Sequence, residues 1–146
     1  MPVNDAAKGK TYPPVSYEVG KEKIKEYAWA VGEDNPVYFD REQAKAAGFR
    51  DVVAPPMFAV VYSAPAIGPA ILDPEVGMNL ATMVHGGQDF EWGPVVVAGD
   101  EITTVATVKD ISERGGMGFY VFESTSTNQR GETACTATWT NIVRGV

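Results

Sequence analysis

Asp34-Asn35-Pro36-Val37-Tyr38 is the stretch of this chain whose residue types most resemble an acid–base site. A carboxylate can hold a water and take its proton, an amide can orient the reacting group, and a proline fixes the turn that carries both. A histidine would complete the set, but Tyr38 stands in that place. The same residues also form turns with no catalytic purpose, because Asp and Asn bond their own backbone and Pro presets φ. His85, the single histidine, lies in Met83-Val84-His85-Gly86-Gly87-Gln88, where two glycines permit close approach of backbone or ligand. A lone histidine on a strand is also compatible with a purely structural role.

Other chemistries find little support. The serines lack a nucleophile elbow such as Gly-x-Ser-x-Gly. Cys135 sits among alternating apolar residues and reads as a core thiol. The glycines of Ile111–Phe119 precede a strand and not a helix, so they form a hairpin turn and not a dinucleotide loop. One histidine and one cysteine, with no convincing carboxylate cluster, give no expectation of a metal, and no cofactor is expected.

The elements that must position these residues come in two groups. Ile24, Tyr27, Ala28 and Val31 share one helical face, and Gly32 and Pro36 stop that helix. Asp40 caps a short second helix that Gly48 ends. Pro55-Pro56 opens a third, apolar on every side, which Gly68 and Pro69 are expected to close. After about Leu80 the pattern turns to strands, with a hairpin at Asn128–Gly131 and Cys135, Ala137 and Trp139 alternating with threonines. Helices followed by an antiparallel meander define an α+β class, with the sheet curved around the apolar helix.

The 146 residues read as a single domain, residues 1–146, with a net charge of -7 that disfavours nucleic acid and anionic membranes. The uncharged Val52–Leu72 segment is too broken by prolines to span a bilayer and is better buried in a core. A single cysteine fits the cytoplasm, the expected location.

Taken together, the chain resembles the MaoC-like (R)-specific enoyl-thioester hydratase and dehydratase group of hot-dog proteins. It is most similar to the FAS1-like dehydratase branch, which includes non-catalytic subunits of (3R)-hydroxyacyl-carrier-protein dehydratases. The likeness runs from Tyr12 to the final strands, through Val52–Phe58 and Val84–Asp100. It implies a hot-dog fold, a sheet wrapped around a central helix, and a place in fatty acid metabolism as a lyase. In complete relatives an Asp-x-Asn-Pro-hydrophobic-His motif holds the water that adds to, or leaves, the β-carbon of an acyl thioester. The resemblance is read here with Asp34 as the carboxylate, Asn35, Pro36 and Val37 matching, and Tyr38 replacing the histidine. A tyrosine ordinarily titrates about 3.5 pH units above a histidine, so it is a poor proton shuttle near neutrality. Complete hydratases also tend to carry His-Gly-Met where this chain has Pro55-Pro56-Met57.

Three functions follow as alternatives. The first is a hydratase or dehydratase subunit that shapes the acyl pocket, with Asn35, Tyr38, Pro56, Met57, His85 and Gly86 contacting substrate. It forms a homodimer alone and a heterodimer with a complete subunit. The second is a self-sufficient homodimeric hydratase using Asp34 with His85 or Tyr38. The third is a non-enzymatic module that binds acyl-coenzyme A or acyl-carrier-protein thioesters. Lys21–Lys25 is weighed as a basic docking patch, against the plainer reading of a solvated helix face.

Overall fold

The computed structural model describes residues 2–146. Five strands form one antiparallel sheet: β1 (Val15–Glu18), β2 (Met83–Trp92), β3 (Glu101–Arg114), β4 (Met117–Thr127) and β5 (Thr133–Arg144). Their order across the sheet is β1-β3-β4-β5-β2. Three α-helices precede the meander: α1 (Lys21–Ala30), α2 (Arg41–Ala46) and α3 (Ala59–Ile71). Among the described residues no helix is long and apolar enough to cross a membrane.

Helix α3 lies against β3 and β4 and buries Ala59, Tyr62, Ser63, Ala66, Ile67 and Ala70. A single 3-10 turn, Pro56–Phe58, leads into it. Phe58 is fully buried, and Tyr17, Tyr27 and Tyr62 meet its ring edge-on at 5.5–6.3 Å. Those pairs fix the start of α3, because edge-to-face packing is directional. Opposite the helix, β3, β4 and β5 present alternate residues, among them Ile102, Ala106, Val108, Tyr120, Phe122, Ala137 and Trp139. The phase of β3 changes at a bulge between Val108 and Asp110, so Ile111 rather than Asp110 turns inward. Two polar pairs lie on this face: Thr104 with Ser126 at 2.8 Å, and the Trp139 indole donating to Ser124 Oγ at 2.9 Å.

Two expectations need correction. Val15–Glu18 forms β1 ahead of the helices, whereas strands were expected only after about Leu80. Four residues carry too little alternation to declare a strand, and pairing with Glu101–Thr104 decides it. Helix α3 also continues past Gly68 and Pro69 to Ile71. Its one buried face, Ala59 to Ala70, holds it by packing, which here outweighs the hydrogen bonds lost at Pro65 and Pro69 on the exposed side. The hairpins form as expected. Gly115 and Gly116 both take positive φ (60° and 74°), the geometry a two-residue turn requires. Lys21 and Lys23 are solvated, as a helix face would be.

The N-terminal segment is tied to the far end of α3. Lys10 Nζ lies 2.6 Å from both Asp73 and Glu75, and the Tyr12 hydroxyl donates to Asp73 at 2.6 Å. These bonds from Lys10 first, then Tyr12 and the Glu75 N–H, hold the Asp73 carboxyl down at about 2. Its folded pKa is depressed, so its stabilisation is complete above the ordinary carboxylate range near pH 4 and is lost as pH falls through about 2. Asp73→Asn is therefore expected to flatten the acid limb of the melting-temperature profile. An unchanged acid limb would show that this cluster is not responsible.

Candidate active site

Two helix ends build one wall. Gly32, at φ 78°, ends α1 with a Schellman motif: Gly32 N–H donates to Trp29 O at 3.2 Å and Glu33 N–H to Ala28 O at 2.9 Å. Gly48, at φ 95°, ends α2 in the same way, with Gly48 N–H on Lys45 O and Phe49 N–H on Ala44 O, both at 3.0 Å. Between them, Asn35 Oδ1 accepts the Val37 N–H at 3.2 Å and opens the 3-10 turn Pro36–Tyr38. Asp40 then caps α2 by accepting from Gln43 N–H at 3.1 Å. The turn is held over the core because Val53 N–H donates to Val37 O at 2.9 Å. Ala44, Val53 and Val97 form a small apolar centre beneath it, with Val37, Tyr38 and Phe49 packed on top.

A cavity of about 800 Å³ opens beside this turn. Asn35, Val37, Tyr38, Phe49, Pro55 and Pro56 line one side; Tyr62 of α3 and Trp92–Val96 complete it. The lining is predominantly apolar with a few polar tips, the usual make-up of a small-molecule site. The Trp92 indole donates to Pro56 O at 2.9 Å, joining the end of β2 to the start of α3. Pro55 and Pro56 supply no N–H, so Met57 carries the first free amide of that turn.

The sequence-derived residues divide on this geometry. Asn35, Tyr38 and Pro56 line the cavity. Met57 is solvent-exposed just beyond Pro56, and His85 and Gly86 are exposed on β2 away from the lining. The His85 ring packs edge-on near Trp139, 6.4 Å away, beside a bulge in β2 at Gly86. Asp34 is exposed and does not line the cavity.

Counting explains the position of Asp34. In Asp-x-Asn-Pro-x-His the carboxylate stands two residues before Asn, which here is Glu33, and Asp34 is the intervening residue. Asn35, and not Asp34, caps the turn. Glu33 is half-buried and, like Asp34, lies off the cavity lining. Burial, and then the Glu33 charge, push the Tyr38 phenol above its ordinary value. The carboxylate that acts on Tyr38 is thus Glu33, and motif spacing alone was enough to find it. Tyr62, Phe49 and Trp92 were also missed as lining; Tyr62 left one trace, as the only aromatic hydroxyl in the apolar helix. Burial raises its pKa strongly, so it stays a neutral phenol in the cavity wall.

Gly93 sets the opposite wall. A methyl group there would overlap the Thr133 carbonyl oxygen, and the Gly93 N–H already donates to Ala134 O at 2.9 Å. Gly93→Ala is expected to cost about 1–3 kcal/mol through backbone displacement. It should also weaken any ligand of the cavity. A melting temperature equal to wild type would contradict this.

A sheet wrapped around one apolar helix, with a site at the helix start, defines a hot-dog protein. The chain belongs to the FAS1-like dehydratase domain family, whose model matches residues 6–137. It is 42% identical over 146 residues to a UPF0336 protein of Saccharopolyspora erythraea, covering 99% of this chain and 94% of that one. Among solved structures it is similar to the HadBC (3R-hydroxyacyl-ACP dehydratase) complex of Mycobacterium tuberculosis. The TM-score there is 0.80 with 28% identity, over 93% of this chain and 96% of that one. It is also similar to a MaoC-like dehydratase, with a TM-score of 0.87 and 28% identity over 97% of this chain and 43% of that longer one.

Proposed function

We propose that this protein is a subunit of an (R)-specific enoyl-thioester hydratase or 3-hydroxyacyl-thioester dehydratase, supplying the acyl pocket but not a complete acid–base pair. One observation carries the reading. A largely apolar cavity of about 800 Å³ lies under a motif turn whose histidine position is Tyr38, a phenol with a raised pKa. Water addition to an enoyl thioester needs a group that accepts and returns a proton near neutral pH. Glu33 lies off the cavity lining, and Tyr38 holds its proton too tightly to return and recover it rapidly.

The missing half comes from a partner with the complete motif. Strand β2 is ten residues long and lies at the sheet edge, with Val84 and Trp92 exposed along it. A long open edge invites pairing with another strand. Such pairing brings His85, Gly86 and Met57 to the shared boundary, where they contact the partner or the substrate it holds. The same edge closes a homodimer when the protein is alone. The similarity to a chain of the HadBC complex supports the subunit role.

Trp92 forms part of the cavity wall, so binding is testable without turnover. Titration with decanoyl-coenzyme A is expected to give a saturable change in tryptophan emission that Trp92→Phe removes. No saturable change, alone or with a complete partner, would overturn the reading.

A further inference from the structure

A second recess, of about 340 Å³, adjoins the acyl cavity and shares Phe49, Pro94 and Val95 with it. Its charged lining is Arg50, Arg130 and Glu132. Arg50 follows the Schellman turn that ends α2, and Arg130 sits on the hairpin between β4 and β5. Asp100 anchors both. Its carboxylate is 1% exposed and receives Arg50 Nη2 at 3.0 Å on each oxygen, with Arg130 Nη1 3.8 Å away. Gln129 Nε2 at 2.8 Å and the Val97 N–H at 3.0 Å complete its bonds.

These ties leave donors free. A guanidinium offers five N–H groups in a planar fork. Arg50 commits Nη2 to Asp100, and Arg130 commits Nε to Glu132 at 2.7 Å. The two side chains remain 52% and 41% exposed. With the Asp100 carboxylate balancing one of their two charges, two fixed, partly exposed guanidinia beside an apolar cavity offer N–H groups to an anion. Glu132 opposes it from the same recess.

We propose that this recess receives the phosphate of a pantetheine-type thioester while its acyl chain occupies the adjoining cavity. The proposal rests on the acyl-thioester reading above and adds the position of the charged end. Phosphate oxygens take the free Arg50 and Arg130 donors, and the pantetheine arm crosses the rim at Phe49, Pro94 and Val95. The same phosphate ester occurs in coenzyme A and on carrier proteins.

Calorimetry on wild type, Arg130→Met and Glu132→Gln tests this with three probes. They are unacylated coenzyme A, 4′-phosphopantetheine, and a decanoyl thioester of N-acetylcysteamine, which has no phosphate. Arg130→Met is expected to weaken both phosphate-bearing probes about tenfold relative to the phosphate-free ester, as for a lost charged hydrogen bond. Glu132→Gln should tighten them by removing the opposing charge. Equal affinity for coenzyme A and phosphopantetheine would assign the single phosphate shared with carrier proteins; tighter coenzyme A would assign its diphosphate. Phosphate-bearing probes that do not bind, or that respond to neither substitution, would overturn the proposal. If they respond while the phosphate-free ester fails to bind, the anion site stands and the acyl-cavity reading falls.

Discussion

Purified alone, the protein is expected to hydrate crotonyl-coenzyme A at no more than about one-hundredth of the rate of a hot-dog hydratase with an intact Asp/His pair. The reason lies in protonation states. In the proposed reading Tyr38 stands at the histidine position, and burial together with the Glu33 charge moves its phenol further from neutrality. Asp34 gives no relief, because it is exposed and lies off the cavity lining. Tyr38→His places an imidazole beside Glu33 and should raise the rate of the isolated protein. The gain is limited by whether Met57, behind two prolines, can polarise the thioester carbonyl as a fuller set of helix amides would. Glu33→Gln should remove that gain, whereas Asp34→Ala should leave it. The opposite pattern would return the carboxylate role to Asp34.

The second large effect concerns stability. Asp100→Ala is expected to cost about 3 kcal/mol, or roughly 10 °C in melting temperature for a chain of this size. Burial alone would raise the Asp100 pKa, but the bonds from Gln129, Val97 N–H and Arg50 outweigh it and hold the carboxyl below its usual range. Removing the carboxylate strands a buried Val97 N–H and releases three segments at once: the Arg50 turn, the 93–99 loop and the 128–132 hairpin. The first two carry cavity residues, so ligand binding should fall with stability. A thermal shift under about 2 °C would show that Asp100 does not hold these segments together.

The parts legible in sequence were those fixed by local chemistry. Gly32 and Gly48 ended their helices, Asp40 capped α2, and the alternation of Cys135, Ala137 and Trp139 gave the inward face of β5. The apolar helix pointed to a sheet curved around it, and the family resemblance implied that this arrangement is a hot-dog fold. Harder to read were features made by distant segments. Gly93–Val96 has no chemical groups of note, yet it walls the cavity because Ala54 N–H bonds Val96 O at 2.9 Å across 42 positions of chain. Asp100 looks like an ordinary turn residue until Arg50 and Gln129 arrive from elsewhere. Glu33 was readable all along from the motif spacing, and its half-buried place beside Tyr38 makes the assignment physical.

The most direct test of the account is turnover of crotonyl-coenzyme A by the protein alone, then co-purified with a hot-dog subunit that carries an intact Asp-x-Asn-Pro-x-His motif. The account predicts negligible rate alone and robust rate in the pair, abolished by substituting the partner's motif histidine and retained in Glu33→Gln of this chain. Robust turnover by the isolated protein, lost on Glu33→Gln, would contradict it and make this chain a self-sufficient hydratase.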